Sequence, residues 1–301
     1  MDVLVTGATG FMGRHLVRFL TRQSGLELWC ISRNGGQVDG IHVDSVDLTS
    51  YEEVAQWHRN KPIIDTIFHL AALIPSSSES SESDDMFFNN LLMMKNIISL
   101  GVSDKSSIVN ISSSSIYSMD NNVPLTEDML PQPDNLYSLS KYTGELLCDI
   151  AHMRYGISAA NLRISAPYGP CQKVQTVINV FLRAALESRE ITVFGSGNRT
   201  QDFTYIDDVI QAIWLACRKK ASGAYNIASG KAVTMCELAK TVLHVEPQSK
   251  SEIVYSGTPD SQETCRGVFS IEKARNVLGY VPQTSLENGL LHCMDAMKNG
   301  G

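Results

Sequence analysis

Short apolar segments alternate with amphipathic segments through the first half of the chain. Continuous apolar runs, typical of strands buried on both faces, occupy residues 3–5, 26–31, 63–70, 108–111 and 158–164. Apolar residues at helical spacing predict helices over residues 14–22, 50–57, 86–100 and 138–154. Because strand–helix alternation of this kind builds a parallel sheet covered by helices on both faces, we predict an α/β fold with a doubly wound parallel sheet.

The pattern changes after about Pro167, where glycine-rich turns and shorter elements replace the regular alternation. At about 150 residues per domain, a chain of 301 residues has room for two domains. We therefore expect one domain over residues 1–166 and a smaller α/β domain over residues 167–301. Some segments of the second domain are expected to return to the sheet.

Composition excludes several classes of function. The formal net charge of −7 leaves no basic footprint of the kind that binds nucleic acid. No segment reaches the roughly 18 apolar residues of a membrane-spanning helix. Because Met1 and Asp2 lead directly into the first apolar run, we expect the N-terminal residues to belong to the folded domain and not to a cleaved signal. We expect a cytoplasmic protein with no nucleic-acid or membrane partner. Seven cysteines without a Cys-x-x-Cys pair and seven histidines without ligand spacing predict neither disulfides nor a metal site.

Three glycines, Gly7, Gly10 and Gly13, are spaced three apart between the first predicted strand and the first predicted helix. Glycines at such a turn let backbone N–H groups approach a pyrophosphate closely, and the helix N-terminus adds a favourable dipole. The motif in this position predicts a dinucleotide site on a sheet of the Rossmann type. An ordinary strand-to-helix turn is the alternative.

The second predicted strand ends in Ser32 and Arg33, with no carboxylate nearby. In dinucleotide-binding folds an acidic residue at this point bonds the ribose 2′-hydroxyl, whereas an arginine accommodates a 2′-phosphate. A guanidinium can form a forked pair with phosphate, which a carboxylate would repel. We therefore predict a preference for NADP(H), with NAD(H) as the other candidate. The alternative is that Arg33 is a solvated surface residue.

Tyr137 and Lys141 lie four residues apart at the start of a predicted helix, so both side chains share one helix face. An ammonium group beside a phenol favours the phenolate, and a nicotinamide cation would add to the effect. A tyrosine with its pKa lowered in this way is a general acid–base for an alcohol–ketone pair. An ordinary Tyr/Lys pair on a helix surface is the alternative.

A run of four serines at residues 112–115 follows the predicted strand at residues 108–111. Hydroxyls at the carboxyl end of such a strand face the crevice where doubly wound sheets bind ligands. One of them could hydrogen-bond a developing alkoxide. Since a serine run alone more often marks a turn, this interpretation depends on the glycine motif and on Tyr137.

Together these motifs resemble the extended short-chain dehydrogenase/reductase family, which contains nucleotide-sugar epimerases, dehydratases and ketoreductases. The resemblance covers nearly the whole chain and includes segments at residues 162–170, 191–209 and 273–282. It implies that residues 1–166 bind the dinucleotide and residues 167–301 the substrate. The residues expected at the cofactor, from the motifs and the resemblance together, are Gly7, Thr9, Gly10, Phe11, Met12, Gly13, Ser32, Arg33, Asp47, Leu48, Leu70, Ala71, Ala72, Tyr137 and Lys141.

The resemblance also implies the catalytic roles. Tyr137 would be the acid–base, and Lys141 would hold the nicotinamide ribose and lower the pKa of that tyrosine. The catalytic hydroxyl would be Ser113, with Ser114 as the second choice and as a candidate substrate contact. The related dehydratases carry Asp-Glu directly after that hydroxyl, whereas this chain has Ser114 and Ser115. A sugar 4,6-dehydratase is therefore not expected.

The chain departs from the family at the substrate. The asparagine that contacts the nucleotide sugar is Ala166 here, and two arginines that grip the diphosphate are replaced by Gln201 and Thr258. At about 1.5–3 kcal/mol for each charge-assisted contact, their loss weakens diphosphate binding considerably. Either the diphosphate is held differently, or the substrate is not a nucleotide sugar. The cations that could compensate, although each could equally be a surface charge, are Lys173, Arg199 and Arg266.

From these observations we predict an NADP(H)-dependent oxidoreductase that reduces a keto-sugar, with a nucleotide-linked 4-keto-hexose as the expected substrate. The main alternative is an NAD(P)-dependent nucleotide-sugar 4-epimerase, which would oxidise and re-reduce one carbon with a retained cofactor. Arg33 favours the reductase. A non-catalytic dinucleotide-sensing or scaffold protein is a second alternative, against which the intact Ser113, Tyr137 and Lys141 argue. The resemblance further implies a homodimer formed through the helices around residues 86–100 and 137–154.

Overall fold

The computed structural model describes residues 1–75, 79–118 and 124–299. Within these ranges the strands are β1 (Asp2–Thr6), β2 (Glu27–Ser32), β3 (Gly36–Val38), β4 (Ile41–Ser45), β5 (Thr66–His69), β6 (Ser107–Ser113), β7 (Ala159–Ile164), β8 (Pro167–Tyr168), β9 (Ile191–Val193), β10 (Thr200–Gln201), β11 (Thr204–Tyr205), β12 (Gly223–Ile227), β13 (Val233–Thr234) and β14 (Ile253–Tyr255). The α-helices are α1 (Phe11–Leu20), α2 (Tyr51–His58), α3 (Asp84–Asp104), α4 (Leu136–Tyr155), α5 (Val177–Leu186), α6 (Ile206–Arg218), α7 (Met235–Val245) and α8 (Leu286–Lys298). Short 3₁₀ turns lie at Glu79–Glu82 and Ser114–Ile116, and a π-helical turn at Ala274–Leu278.

An eight-stranded sheet in the order β12-β7-β6-β5-β1-β2-β4-β3 forms the centre of the fold. Its neighbouring strands are parallel except for β3 and β4, which form an antiparallel hairpin. The five predicted strands correspond to β1, β2, β5, β6 and β7, and the four predicted helices to α1 to α4. The predicted doubly wound α/β fold is confirmed.

Successive residues of β1 point to opposite faces of the sheet, and both faces are covered. Val3 and Val5 pack with Leu16 of α1 in one core, whereas Leu4 packs with Ile97 of α3 in the other. All five side chains have no exposed surface. Because each face needs apolar side chains, the strand is apolar throughout, and this is why a continuous apolar run predicted it.

The β3–β4 hairpin and strand β12 were not predicted. The hairpin turns at Asp39 and Gly40, which both adopt left-handed backbone conformations (φ 47° and 85°). Asp-Gly at a two-residue turn is a local signal for such a hairpin, so this element could have been found from the sequence. Strand β12 lies beside β7, which precedes it by some sixty residues, and a pairing over that separation has no local signal.

Smaller elements follow β7. Three two-stranded pairs, β8 with β11, β9 with β14 and β10 with β13, lie outside the main sheet, while β12 pairs with β7 inside it. These segments bring residues from the second half of the chain to the carboxyl ends of the parallel strands. The division into two domains near residue 166 stays a prediction.

Helix α4, which carries Tyr137 and Lys141, has a well-defined start. The Asn135 side chain accepts a hydrogen bond from the Ser138 backbone N–H (2.9 Å), and the Ser138 hydroxyl accepts one from the Asn135 backbone N–H (3.3 Å). This reciprocal capping satisfies two of the free donors at the helix start. The cap therefore holds Tyr137, the second residue of the helix, in a defined orientation.

Three further features concern the described residues only. None of the helices there combines the length and the apolar character needed to cross a membrane. Within the same ranges, no three His, Cys, Asp or Glu side chains come together to hold a metal ion. The seven cysteines are free thiols.

Candidate active site

A cavity of about 860 Å³ opens at the carboxyl ends of the parallel strands. Its volume lies within the range of about 300–1,000 Å³ that is usual for small-molecule sites. The cavity is lined by the glycine turn after β1, the ends of β2, β5, β6 and β7, and residues of the β10 region. Every residue predicted for the cofactor, the substrate or catalysis lines this cavity except Ser114, which is buried outside it.

The glycine turn after β1 brings backbone close to backbone. Gly7 has φ +66°, and a Cβ atom there would lie 2.9 Å from the backbone of Ala71. A Cβ atom at Gly13 would lie 2.2 Å from the Gly7 carbonyl oxygen. Since no side chain fits at these two positions, the turn exposes its N–H groups at the start of α1, as a dinucleotide pyrophosphate requires. The residues present therefore fit a dinucleotide.

Hydrogen bonds hold the segment after β5 beside the glycine turn. The Thr6 hydroxyl oxygen accepts from the backbone N–H groups of Leu70 and Ala71 (both 3.1 Å) and lies 3.0 Å from His69 Nδ1. Burial, with the charge of Lys141, lowers the pKa of His69 to about 3, so this imidazole is neutral. It acts as part of the scaffold of the cavity wall.

The residues predicted for the adenosine half lie together after β2 and β4. The Ser32 hydroxyl donates to the Gly35 carbonyl (3.3 Å), and Asp47 Oδ1 accepts from the Thr49 hydroxyl (2.8 Å). Arg33 is exposed at this end of the cavity, and no ion pair between described residues involves it. Its guanidinium is therefore accessible to a ligand, and a neighbour that was not predicted, Asn34, also lines the cavity.

The structure brings Ser113, Tyr137 and Lys141 together. Ser113, at the end of β6, lines the cavity together with Tyr137, and its hydroxyl oxygen lies 2.8 Å from the Ser115 hydroxyl oxygen. Lys141 Nζ lies 5.9 Å from the centre of the Tyr137 ring and donates to the Ile111 carbonyl (2.9 Å). A hydroxyl, a phenol and an ammonium group thus line one cavity, and such a set is suited to proton transfer to or from an alcohol. Of the two serines considered for the hydroxyl, Ser113 has this geometry.

Burial dominates the pKa values of this group. It raises the pKa of Tyr137 to about 12, with the hydrogen bond from Ser113 acting in the opposite direction. It lowers the pKa of Lys141 to about 8, with the charge of Glu145 acting in the opposite direction. The expectation that Lys141 and a nicotinamide cation together lower the pKa of Tyr137 stays a prediction, because without the cofactor the removal of the phenolate from water dominates.

A buried polar network lies behind Lys141. Glu145, one turn further along α4, accepts from the Ser112 hydroxyl (2.5 Å) and from Arg163 Nη2 (2.7 Å). Arg163 Nη1 also donates to the Tyr117 hydroxyl (2.6 Å). The side chains of Glu145 and Arg163 are only 3% and 5% exposed. Sequence reasoning missed Glu145, although its spacing of four residues from Lys141 was a usable signal.

The far end of the cavity carries the departures from the family pattern. Ala166 presents only a methyl group there, and Gln201 lines the cavity from β10. Of the three cations that could compensate, only Arg199 lines this cavity, and its Nε donates to Asp260 Oδ2 (2.8 Å). Arg266 instead donates to backbone carbonyls. The sequence could not choose among these cations because their positions depend on long-range contacts.

Comparisons with known proteins agree with this geometry. The model of the NAD dependent epimerase/dehydratase family matches residues 3–228. The putative UDP-glucose 4-epimerase of Methanocaldococcus jannaschii is 29% identical over 306 residues, which cover 99% of this chain and 98% of that protein. The crystal structure of UDP-glucose 4-epimerase from Thermotoga maritima has the same fold, with a TM-score of 0.89 at 24% identity over 100% of this chain and 99% of that one.

A solved complex is also similar. The UDP-glucuronic acid 4-epimerase of Bacillus cereus, in complex with UDP-glucuronic acid and NAD, has a TM-score of 0.87 and 26% identity, and the match covers 100% of both chains. The family model spans most of the residues that form the cavity described above, from the glycine turn through Tyr137 and Lys141 to Gln201. The chain therefore belongs to the NAD dependent epimerase/dehydratase family.

Proposed function

We propose that the protein is a nucleotide-sugar 4-epimerase that inverts the C4 hydroxyl of a UDP-linked hexose and retains NAD between turnovers. The observation that carries this proposal is the single cavity that joins the glycine turn to Ser113, Tyr137 and Lys141 and continues to Gln201. The names of similar proteins support the choice of reaction, since UDP-sugar 4-epimerases recur among them. These names favour the epimerase alternative over the reductase predicted from Arg33.

The residues present divide the chemistry among themselves. Bound NAD would supply reversible hydride transfer with C4 of the sugar, and inversion requires that the hydride return to the opposite face of the 4-keto sugar. The backbone of Gly7 and Gly13 would hold the pyrophosphate of NAD, and Lys141 would hold the nicotinamide ribose. Tyr137 removes the proton from the sugar hydroxyl and later returns it, while the Ser113 hydroxyl holds the same oxygen.

Positive charge decides when Tyr137 can act as a base. Burial holds its pKa at about 12, which keeps the phenol protonated at neutral pH. The ammonium of Lys141 and the positive charge of an oxidised nicotinamide both favour the phenolate, and their effects add. A bound oxidised cofactor would therefore favour the phenolate that accepts the proton, and without its positive charge the protonated phenol would be favoured.

Arg33 is the one residue that still favours the reductase. Its exposed guanidinium at the adenosine end could accept a 2′-phosphate, so the NADP(H) preference stays a prediction. Titration of the protein with NAD and NADP separately tests it. Tighter binding of NAD supports the epimerase, whereas NADP bound at least tenfold more tightly supports the reductase.

The decisive experiment measures the reaction itself. The purified protein is incubated with UDP-glucose or UDP-glucuronic acid, and the C4 epimer is followed by proton NMR without added cofactor. We expect approach to an equilibrium of two epimers, NAD in the denatured protein extract and no net formation of NADH. Stoichiometric consumption of added NADPH with a 4-keto sugar would instead identify a reductase. Cofactor binding with neither reaction would favour the sensing or scaffold alternative.

We infer that the protein forms a homodimer through α3 and α4. These helices pack against each other, with Asn90 donating to the Ser140 hydroxyl (3.1 Å). Their outer surface exposes apolar side chains, Leu92 on α3 and Leu146, Ile150 and Met153 on α4. The last three recur at helical spacing on one face of α4, as a helix that packs against a second copy requires.

The cytoplasmic location expected from the sequence stays a prediction.

A further inference from the structure

We propose that Arg199 binds the phosphoryl oxygens of the substrate's nucleoside diphosphate and that the Asp260 carboxylate competes with the phosphate for this guanidinium. The inference rests on the proposed function, because it concerns how a nucleotide sugar is held. It answers the difficulty raised by Gln201 and Thr258, which occupy positions where the family pattern has arginines.

The first step is the distribution of positive charge in the cavity. Of the described residues that line it, the cations are Arg33, Lys141 and Arg199. Arg33 lies at the adenosine end, and Lys141 lies beside Tyr137, with its Nζ bonded to a strand carbonyl. Arg199 lies at the far end, two residues before Gln201. It is therefore the one lining cation of the described chain that is placed for an anionic group beyond the sugar.

The second step is the number of donors that Arg199 still has to offer. Its Nε donates to Asp260 Oδ2 (2.8 Å), and its Nη1 donates to Gln262 Oε1 (3.0 Å). Nη2 contacts the Met235 sulfur at 3.4 Å, and a thioether is a weak acceptor. A guanidinium carries five N–H donors in a planar fork, so at least two remain for phosphoryl oxygens.

The third step is the competition from Asp260. The side chains of Arg199 and Asp260 are only 18% and 13% exposed, so water screens their attraction less than at the surface. Asp260 neutralises the charge that would otherwise attract a phosphate, and it also repels the phosphate directly. Removal of this carboxylate should therefore tighten diphosphate binding, whereas removal of the guanidinium should weaken it. If the ion pair were purely structural, removal of either partner would not change diphosphate binding in opposite directions.

The segment that carries Asp260 is fixed independently of this ion pair. The Asp260 carboxylate also accepts from the Gln262 backbone N–H (2.9 Å), and the Glu263 carboxylate accepts from the Ser196 backbone N–H (3.2 Å). Because these contacts tie residues 260–263 to the turn before Arg199, an Asp260→Asn variant retains most of the local structure. Asparagine keeps one oxygen acceptor, which can retain the bond from the Gln262 N–H, and it removes the charge and the second oxygen that accepts from Arg199.

The test is calorimetric titration of the full-length, NAD-loaded protein with UDP. We expect Arg199→Gln to raise the Kd of UDP by about 10- to 100-fold, as expected for the loss of one or two charge-assisted hydrogen bonds. Asp260→Asn should lower that Kd by at least threefold. Titration with uridine, which has no phosphate, should give the same Kd for the wild type and both variants. Arg189→Gln is the matched control, because Arg189 forms an exposed ion pair with Glu187 and does not line the cavity.

The possible outcomes separate this inference from the proposed function. If UDP binds the wild type and Arg199→Gln equally, or if Asp260→Asn weakens binding while its melting temperature is unchanged, the role of Arg199 is refuted and the epimerase proposal is unaffected. If UDP binding depends on Arg199 but no epimer forms, the epimerase proposal fails and this inference stands. If UDP does not bind the NAD-loaded protein, both are refuted.

Discussion

Lys141 and Glu145 lie one turn apart on α4 and reach consecutive residues at the end of β6. Lys141 Nζ donates to the Ile111 carbonyl, and Glu145 accepts from the Ser112 hydroxyl. The two side chains therefore share one helix face and one strand end. Burial opposes the charge on Lys141 and the carboxylate of Glu145 favours it, with the result that the lysine pKa falls to about 8. A carboxylate outside the cavity lining thus helps to keep a predicted catalytic lysine charged near neutral pH.

This relationship predicts the effect of Glu145→Gln on pH dependence. In the wild type, Lys141 loses its proton as the pH rises through about 8, so kcat should fall over that interval. Without the carboxylate, the ammonium loses its favourable neighbour while the charge of Arg163 remains, so the lysine pKa decreases further. We expect the falling limb of the kcat profile, measured by NMR between pH 5 and 10, to move to lower pH.

The same substitution also leaves the Arg163 guanidinium buried without its partner, so the free energy of unfolding should fall by about 3–5 kcal/mol. Ser112→Ala is the control, because it removes one hydrogen bond of Glu145 and keeps the charge. The Ser112→Ala variant should leave the falling limb of the kcat profile close to its wild-type pH. A limb that stays in place in folded Glu145→Gln protein would show that the carboxylate does not influence Lys141.

Tyr137→Phe should lower kcat by a factor of about 10² to 10⁴, because the variant lacks the hydroxyl that transfers the proton. Binding of NAD should change by less than threefold, since the ring and Lys141 remain. Tyr142→Phe on the same helix is a suitable comparison, because Tyr142 does not line the cavity. Epimerisation at the wild-type rate in Tyr137→Phe would exclude the acid–base role.

Gly13→Ala should abolish cofactor retention. The new Cβ atom would lie 2.2 Å from the Gly7 carbonyl oxygen and 2.8 Å from the Ala8 Cα, so the turn must move. Gly144→Ala in α4 is the matched variant, because the nearest atom to its Cβ lies 3.8 Å away. There we expect unchanged NAD content and stabilisation of about 0.5–1 kcal/mol, since alanine favours a helix interior. Absorbance of the extracted nucleotide measures the NAD content, and thermal unfolding measures the stability. Equal NAD content in the two variants would contradict the fit of the turn to a pyrophosphate.

Ile150→Glu should convert a dimer into a monomer. The side chain is exposed on α4 beside Leu146 and Met153, and a carboxylate there would have to be buried against a second copy. Light scattering coupled to size-exclusion chromatography should give about twice the chain mass for the wild type and the single-chain mass for the variant. Ile63→Glu, at an exposed position outside α3 and α4, should leave the mass unchanged. A monomeric wild type at micromolar concentration would reject the proposed interface.

Several conclusions followed from local sequence patterns. The apolar run at residues 3–5 predicted a strand buried on both faces, because every side chain of such a strand must be apolar whichever way it points. The three glycines predicted the close backbone turn, since any side chain would collide there. Tyr137 and Lys141 were paired by helical spacing. The choice of reductase over epimerase rested on Arg33 alone, and the similar proteins favour the epimerase.

The tertiary structure decided what depends on contacts between distant parts of the chain. It placed β12 beside β7, and it brought Glu145 to Ser112 and Arg163 in one buried network. Among three candidate cations, it positioned only Arg199 in the cavity, opposite Asp260. Local spacing specifies secondary structure and turns because those interactions span only a few residues. Which charges meet across the chain is determined by packing, and a single sequence does not encode this as a readable pattern.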